Sequence, residues 1–145
     1  MNGTDQRPVK IYQSQTGSEV LTYHDTQSGA LALSWSTDGG SIAMGVKSIQ
    51  IWDASNGKDI TSLQAINASV LALAWSPDGK YLASGGGSTQ AVMTDNQAQV
   101  WDMTRKKVTS YPGHSRPVSS LSWSPDGTRI ASASWDGTVQ IWRAV

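Results

Sequence analysis

The sequence predicts an all-β protein built of short antiparallel strands, and three observations point to this fold class. Seven Trp, four Tyr and fourteen Gly contrast with one Glu and no Phe, so strong helix formers are scarce. Val, Ile, Thr, Trp and Tyr cluster in short runs bounded by Gly, Pro, Asp and Asn, which is typical of strands and turns. The third observation is an internal repeat.

A unit of about 40 residues recurs along the chain. The motifs "LSWSTDG", "LAWSPDG" and "LSWSPDG" place Trp35, Trp75 and Trp123 at intervals of 40 and 48 residues. A second series reads "VKIY", "IQIW", "AQVW" and "VQIW", and its closing aromatic residues are Tyr12, Trp52, Trp101 and Trp142. A fixed period of this length predicts a repeat architecture in which each unit is one small sheet.

Each complete unit predicts four strands, which we name a to d. In the third unit strand a is "VLALAWS", which is apolar on both faces and is therefore expected to lie between two layers. Pro77-Asp78-Gly79 predicts a turn, and "KYLASG", "AQVWD" and "KVTSYPG" follow as strands b, c and d. Along the chain the order is c–d, a–d, a–d and a–c, which gives thirteen strands.

The last unit carries the signatures of a known family. Gly113-His114 links two units, Ser-Pro-Asp-Gly follows strand a, Asp136 lies in the b–c turn and Trp142 closes strand c. This pattern closely resembles the WD40 repeat of β-propellers, and the resemblance covers residues 8–145. It implies blades of four antiparallel strands arranged as part of a ring.

The resemblance divides one domain, residues 1–145, into four parts. These are a partial blade with strands c and d (1–26), a blade (27–66), a blade with a b–c insertion (67–114) and a blade without strand d (115–145). In whole WD-repeat propellers the N-terminal strand d completes the last blade, and propellers have about 4–8 blades. We therefore expect other copies to complete the ring, as a dimer or trimer that exchanges the strand in "SEVLTYHD".

The resemblance also implies a buried hydrogen-bonded tetrad in the last blade. Its members are His114, Ser132, Asp136 and Trp142, and a partial set in the preceding blade comprises Ser84, Asp95 and Trp101. His, Ser and Asp together could also form a hydrolase triad. Ser132 lies mid-strand, however, whereas a catalytic Ser must be exposed beside oxyanion donors, so we expect no enzyme.

The resemblance further implies a ligand-binding face at the channel entrance. The positions that match it are Trp135, Pro117, Ser119, Ser69, Leu71 and Thr94. Exposed Trp is a typical binding anchor, although Trp135 could instead pack on a neighbouring turn. The favoured function is a non-catalytic scaffold for protein–protein interaction. The alternative is an engineered or amplified repeat fragment whose activity is self-assembly.

The composition limits the classes of partner that the chain is expected to bind. Eleven basic residues balance eleven acidic ones, which predicts no binding to nucleic acid or to a membrane surface. With no Cys and two His, no cofactor or metal is expected. The start of the chain has no secretory pattern and no apolar run reaches about 18 residues, so a cytoplasmic location is favoured. Other copies of the chain and a peptide or protein ligand remain as expected partners.

Overall fold

The protein is a row of small antiparallel sheets. The structure is a computed structural model, and it describes residues 7–24, 29–65, 68–88 and 95–144. Thirteen strands occur in these residues. The same residues contain no helix, and so none long and apolar enough to cross a bilayer. The predicted all-β fold and its strand order are confirmed.

The first half of the chain forms two sheets. Sheet 1 pairs strands β1 (Val9–Tyr12) and β2 (Glu19–Tyr23). Sheet 2 has the order β3–β4–β5–β6, with bounds Ala32–Trp35, Ser41–Gly45, Ile49–Asp53 and Asp59–Leu63. In sheet 2 these strands are a, b, c and d of one repeat, whereas sheet 1 consists of strands c and d.

The second half forms two more sheets. Sheet 3 has the order β7–β8–β9–β10, with bounds Val70–Trp75, Tyr81–Gly86, Gln97–Asp102 and Lys107–Pro112. Sheet 4 has the order β11–β12–β13, with bounds Val118–Trp123, Arg129–Ser134 and Val139–Arg143. Sheets 2, 3 and 4 stack through their inner strands β3, β7 and β11. Within the described residues β13 pairs with β12 alone, so this row of sheets is open.

The turn between strands a and b is built in the same way three times. In sheet 4 the Ser124 hydroxyl donates to Asp126 at 2.6 Å, and the backbone N–H of Thr128 donates to the same carboxylate at 3.0 Å. These donors lower the pKa of Asp126 to about 2. Ser36–Asp38 and Ser76–Asp78 repeat the first bond at 2.6 Å, so the Ser-x-Asp-Gly motif fixes each turn locally.

The sheets are held together by apolar side chains that come mainly from strands b and c. Ile49 and Ile51 of β5 pack into one buried cluster with Val70, Leu82 and Trp101 of sheet 3. The next interface joins Ala83 and Val100 of sheet 3 to Ile130 and Ala144. Sheet 1 covers sheet 2 in a third cluster, whose main members are Val9, Tyr23, Ile42, Met44 and Trp52. Each sheet is thus dry where the following sheet lies against it.

Two glycines at the end of strand b allow this close stacking. A Cβ at Gly45 would lie 2.5 Å from Cγ1 of Val70, and a Cβ at Gly85 would lie 2.6 Å from Cγ1 of Val118. Both distances are far below van der Waals contact, so each Val fills the space that the Gly leaves open. This Gly–Val pair occurs both between sheets 2 and 3 and between sheets 3 and 4.

Overpacking this contact should destabilise the protein. We expect Gly85→Ala to lower the free energy of unfolding by about 1–3 kcal/mol in urea denaturation, because the new methyl group meets Val118. Combining it with Val118→Ala should cost less than the sum of the single substitutions, since the second removes the clash. Additive losses would show that the two positions are not in contact.

Candidate functional site: a buried polar tetrad and an exposed tryptophan

Four side chains of the last repeat form a continuous hydrogen-bonded chain. Trp142 Nε1 on β13 donates to Ser132 Oγ on β12 at 2.8 Å, and Ser132 Oγ lies 2.7 Å from His114 Nε2. His114 Nδ1 lies 2.9 Å from Asp136 Oδ2 in the turn between these strands. The four residues predicted as a tetrad are therefore brought together.

Asp136 sets the direction of the hydrogen bonds in this tetrad. The Thr138 hydroxyl donates to its carboxylate at 2.7 Å, and the backbone N–H of Ser115 donates at 3.1 Å. Together with His114 they hold the pKa of Asp136 well below its usual range. An ionised carboxylate only accepts, so Nδ1 of His114 donates to Asp136, and in the neutral imidazole Nε2 then accepts from the Ser132 hydroxyl.

The Ser132 oxygen is enclosed rather than presented to solvent. Ser132 is fully buried and His114 is buried beside it. An acyl-transfer nucleophile has to reach its substrate and needs oxyanion donors next to it. The hydroxyl of Ser132 instead bridges two ring nitrogens, and it ties β12 to β13 and to the segment before β11. This geometry suits a structural network whose polar groups satisfy one another.

The preceding repeat contains part of the same network. Trp101 Nε1 donates to Ser84 Oγ at 2.9 Å, as Trp142 does to Ser132. Asp95 Oδ2 accepts the backbone N–H of Ala68 at 3.0 Å, one residue beyond the position equivalent to Ser115, whose N–H is bonded to Asp136. The position of His114 falls here at Ile66, which lies outside the described residues.

The second sheet holds its tryptophan without these polar groups. Met44 occupies the position of Ser132, and Trp52 Nε1 is buried with no hydrogen-bond partner in the described ranges. Tyr23 stacks on the Trp52 ring with centroids 4.7 Å apart and planes 3° apart. Its hydroxyl donates to Asp59 Oδ1 at 2.5 Å. Aromatic stacking therefore fixes this tryptophan from the neighbouring sheet.

Trp135 is mounted on a rigid turn and points into solvent. Half of its surface, 51 %, is exposed, although its backbone N–H is bonded to the Pro117 carbonyl at 3.1 Å. The Ser134 hydroxyl donates to the Arg116 carbonyl at 2.9 Å, which joins the same two segments again. Asp136 follows directly and is fixed by the tetrad. The turn is held at three consecutive residues.

The other residues predicted for this face differ in accessibility. Ser119 is exposed and its hydroxyl donates to the Ala133 carbonyl at 3.3 Å, while Ser69 and Leu71 are half-buried. Pro117 is buried, and a Cβ at Gly87, directly after β8, would lie 3.2 Å from its Cα. Thr94 lies outside the described residues. Among the predicted positions that the structure describes, Trp135 is therefore the exposed large apolar side chain.

Comparison with known proteins agrees with this architecture. The family model "WD domain, G-beta repeat" matches residues 57–102 and 105–143, which is more than half of the chain. The chain belongs to the WD40 family. No curated protein matches the sequence. WD40 repeats act as scaffolds for protein interaction and are typically non-catalytic, and the resemblance noted from the sequence is confirmed.

Some contacts of this WD40 chain had no counterpart in the sequence prediction. Thr138 holds Asp136 in the way that Thr128 holds Asp126, and both pairs read Asp-Gly-Thr in the sequence. This shared tripeptide was the available signal. Tyr111 of β10 packs on Trp142 with ring centroids 5.5 Å apart. This contact joins strand d of sheet 3 to strand c of sheet 4, so only a comparison of these two strands could have indicated it. The described ranges contain no cluster of His, Asp or Glu suited to a metal ion.

Removing the central hydroxyl should reveal the size of the tetrad's contribution. We expect Ser132→Ala to lower the free energy of unfolding by about 1–3 kcal/mol, because Nε1 of the half-buried Trp142 and Nε2 of the buried His114 lose their partner. Ser84→Ala in sheet 3 is the matched control and removes the bond to Trp101. Urea denaturation should therefore show a larger loss for Ser132→Ala than for the control, and equal losses would contradict a cooperative network.

Proposed function

We propose that this WD40 chain is a non-catalytic scaffold that binds a peptide or protein at the turn carrying Trp135. The exposure of Trp135 supports the proposal, because accessible Trp side chains are enriched among the anchor residues of binding interfaces. The candidate face comprises Trp135, Ser119, Leu71 and Ser69. Pro117 is left out because it is buried.

The mounting of Trp135 suits a binding anchor. Its turn is fixed by the bonds to Pro117, Arg116 and the tetrad, so little backbone freedom is lost when a partner binds. The indole has only two side-chain torsions and offers both an apolar face and an N–H donor. A partner with an apolar anchor side chain and nearby backbone acceptors fits this chemistry.

A displayed peptide library tests this proposal. Trp135→Ala should weaken binding of selected peptides by about tenfold or more, since truncated anchors cost roughly 2 kcal/mol or more. Ile60→Ala is the control, because Ile60 is exposed to a similar degree on the outer strand β6. Equal binding by both variants, or no enriched peptide, would contradict a binding site at Trp135.

We also propose that copies of the chain assemble with one another. The outer edge of β13 is unpaired within the described residues, and Val139 and Ile141 are 67 % and 68 % exposed on one face of this strand. An unpaired edge beside an apolar face favours the addition of another strand. The alternative function, an engineered or amplified repeat fragment whose activity is self-assembly, is supported by the same observation.

The solution mass tests the assembly. Light scattering during gel filtration should give a multiple of the 15.5 kDa of one chain, and the multiple should fall on dilution. Ile141→Glu should shift the mass towards one chain, because it places a charge on the face to be covered. Ile60→Glu should leave the mass unchanged. A mass of 15.5 kDa at every concentration would contradict self-assembly.

A further inference from the structure

We infer that β13 of a second copy pairs with β2 in the assembly, at the edge where β1 pairs in the single chain. β1 therefore competes with strand exchange. The inference rests on the proposed self-assembly and names its interface. Each copy offers the edge of β2 as the acceptor and sheet 4 as the incoming element. In a dimer, two such exchanges give a closed ring of six complete sheets, which is within the range of known propellers.

β1 and β13 are equivalent strands. They read Val9-Lys-Ile-Tyr12 and Val139-Gln-Ile-Trp142, and both belong to the strand-c series. β1 pairs with β2 in the register Val9 to Tyr23 and Ile11 to Leu21. β5 pairs with β6 in the corresponding register, and a bulge follows the third residue in both pairs. β2 is therefore a strand d that accepts a strand of this series.

Sheet 1 covers only half of the face that sheet 2 presents to it. β1 and β2 bury Ile42, Met44 and Trp52, which lie on β4 and β5. On the inner strand β3, Leu33 and Trp35 are 50 % and 52 % exposed. A hollow of about 400 Å³ opens between this strand and β1. The uncovered half corresponds to strands a and b, which sheet 1 does not contain.

Sheet 4 contains the strands a and b that sheet 1 does not contain. If β13 replaces β1 beside β2, then β11 and β12 are carried along as strands a and b of the same sheet. They would lie over Leu33 and Trp35, as β7 and β8 lie against the equivalent side chains Leu121 and Trp123 of sheet 4. Val139 and Ile141 would take the places of Val9 and Ile11. The exposed faces at both ends of the row would then be covered together.

The side-chain sizes at the two ends also fit each other. Within the chain, Gly45 receives Val70 and Gly85 receives Val118. The third pair of this series joins Ala133 at the end of β12 to Ala30 before β3, and these residues lie at opposite ends of the row of sheets. The receiving position is larger by a methyl group and the inserted residue is smaller than Val. The larger Ala133 and the smaller Ala30 therefore compensate each other, which fits sheet 4 of one copy to sheet 2 of another.

A hydrogen-bonded pair of polar side chains across strands c and d also supports the exchange. Gln50 Nε2 donates to Ser62 Oγ at 3.2 Å across β5 and β6, and Gln99 Nε2 donates to Ser110 Oγ at 3.4 Å across β9 and β10. The corresponding residue of β2 is Thr22, and β1 places Lys10 opposite it. In the exchanged sheet Gln140 would face Thr22 and restore the pair of amide and hydroxyl.

Lys10 instead gives β1 a contact that β13 cannot make. Its ammonium group lies 2.8 Å from the carboxylate of Glu19 on β2. This ion pair stabilises the closed form of the single chain, and it is weakened by salt because both side chains are partly exposed. The competition between β1 and β13 for β2 is therefore sensitive to ionic strength.

Disulfide trapping tests the exchange directly, because the chain has no other Cys. The variant Thr22→Cys is mixed with the variant Gln140→Cys at micromolar concentration and oxidised gently. We expect a crosslinked pair of chains on a non-reducing gel, well above the level that either variant gives alone, since directly opposed strand residues meet disulfide geometry. The double variant Lys10→Cys/Thr22→Cys should crosslink within one chain and suppress the oligomer.

A size swap gives a second test that does not depend on cysteine. Ala30→Val should weaken the assembly about fivefold or more, because Val would meet Ala133 of the other copy. Adding Ala133→Gly should restore it, since this pair then matches Gly45 and Val70. Lys10→Glu should favour the assembly by about 2–10-fold, whereas Lys47→Glu, which changes an exposed lysine in the turn after β4, should not.

The outcomes separate this inference from the proposal beneath it. Crosslinking between chains together with rescue by Ala133→Gly would establish the exchange. An oligomer by mass that forms no Thr22→Cys/Gln140→Cys crosslink, or in which Ala133→Gly gives no rescue, would overturn the exchange and leave self-assembly standing. A single-chain mass under all conditions would overturn both.

Discussion

The stacking of one sheet on the next is the interaction on which the rest of this structure depends. A sheet of three or four short strands cannot bury enough apolar surface by itself, so each repeat needs its neighbours. The sequence meets this need with two alternating features. One face carries Leu and Trp on strand a, and the other carries small residues on strand b with aliphatic residues on strand c. Gly45 and Gly85 bring the backbones close enough for a Val to fill the gap.

The polar tetrad solves a different problem, which is to hold strand c in register. In sheet 4 the Trp of this strand is anchored by hydrogen bonds through Ser132 and His114 to Asp136. In sheet 2 the equivalent Trp52 is instead covered by the ring of Tyr23 from the adjacent sheet. Hydrogen bonding within a sheet and aromatic packing between sheets thus perform the same task. The difference leaves sheet 4 dependent on its own residues and sheet 2 dependent on sheet 1.

The repeat predicted most of the fold, because its period of about 40 residues fixes every strand against a copy of itself. The four members of the tetrad were identifiable through the resemblance to the WD40 family, and the repeat places Ser132 and Asp136 at positions shared with Ser84 and Asp95. The burial of Pro117 was not predictable, because it depends on how Gly87, directly after β8, approaches it. Contacts between sheets, such as Tyr23 on Trp52, depend on the twist and spacing of the row, which single strands do not encode.

In the open row of sheets, β1 pairs with the edge of β2 and covers part of the apolar face of sheet 2. Without β1, strand β2 would present a bare edge, and the cluster around Met44 and Trp52 would lose Val9. With β1 in place, this half of the face is dry, but Leu33 and Trp35 stay exposed because β1 brings no strands a and b. In the exchange that we infer, sheet 4 of another copy would cover more apolar surface than β1 does, whereas β1 has the advantage of being in the same chain. At low concentration this intramolecular advantage would favour β1, and at high concentration the larger buried face would favour exchange.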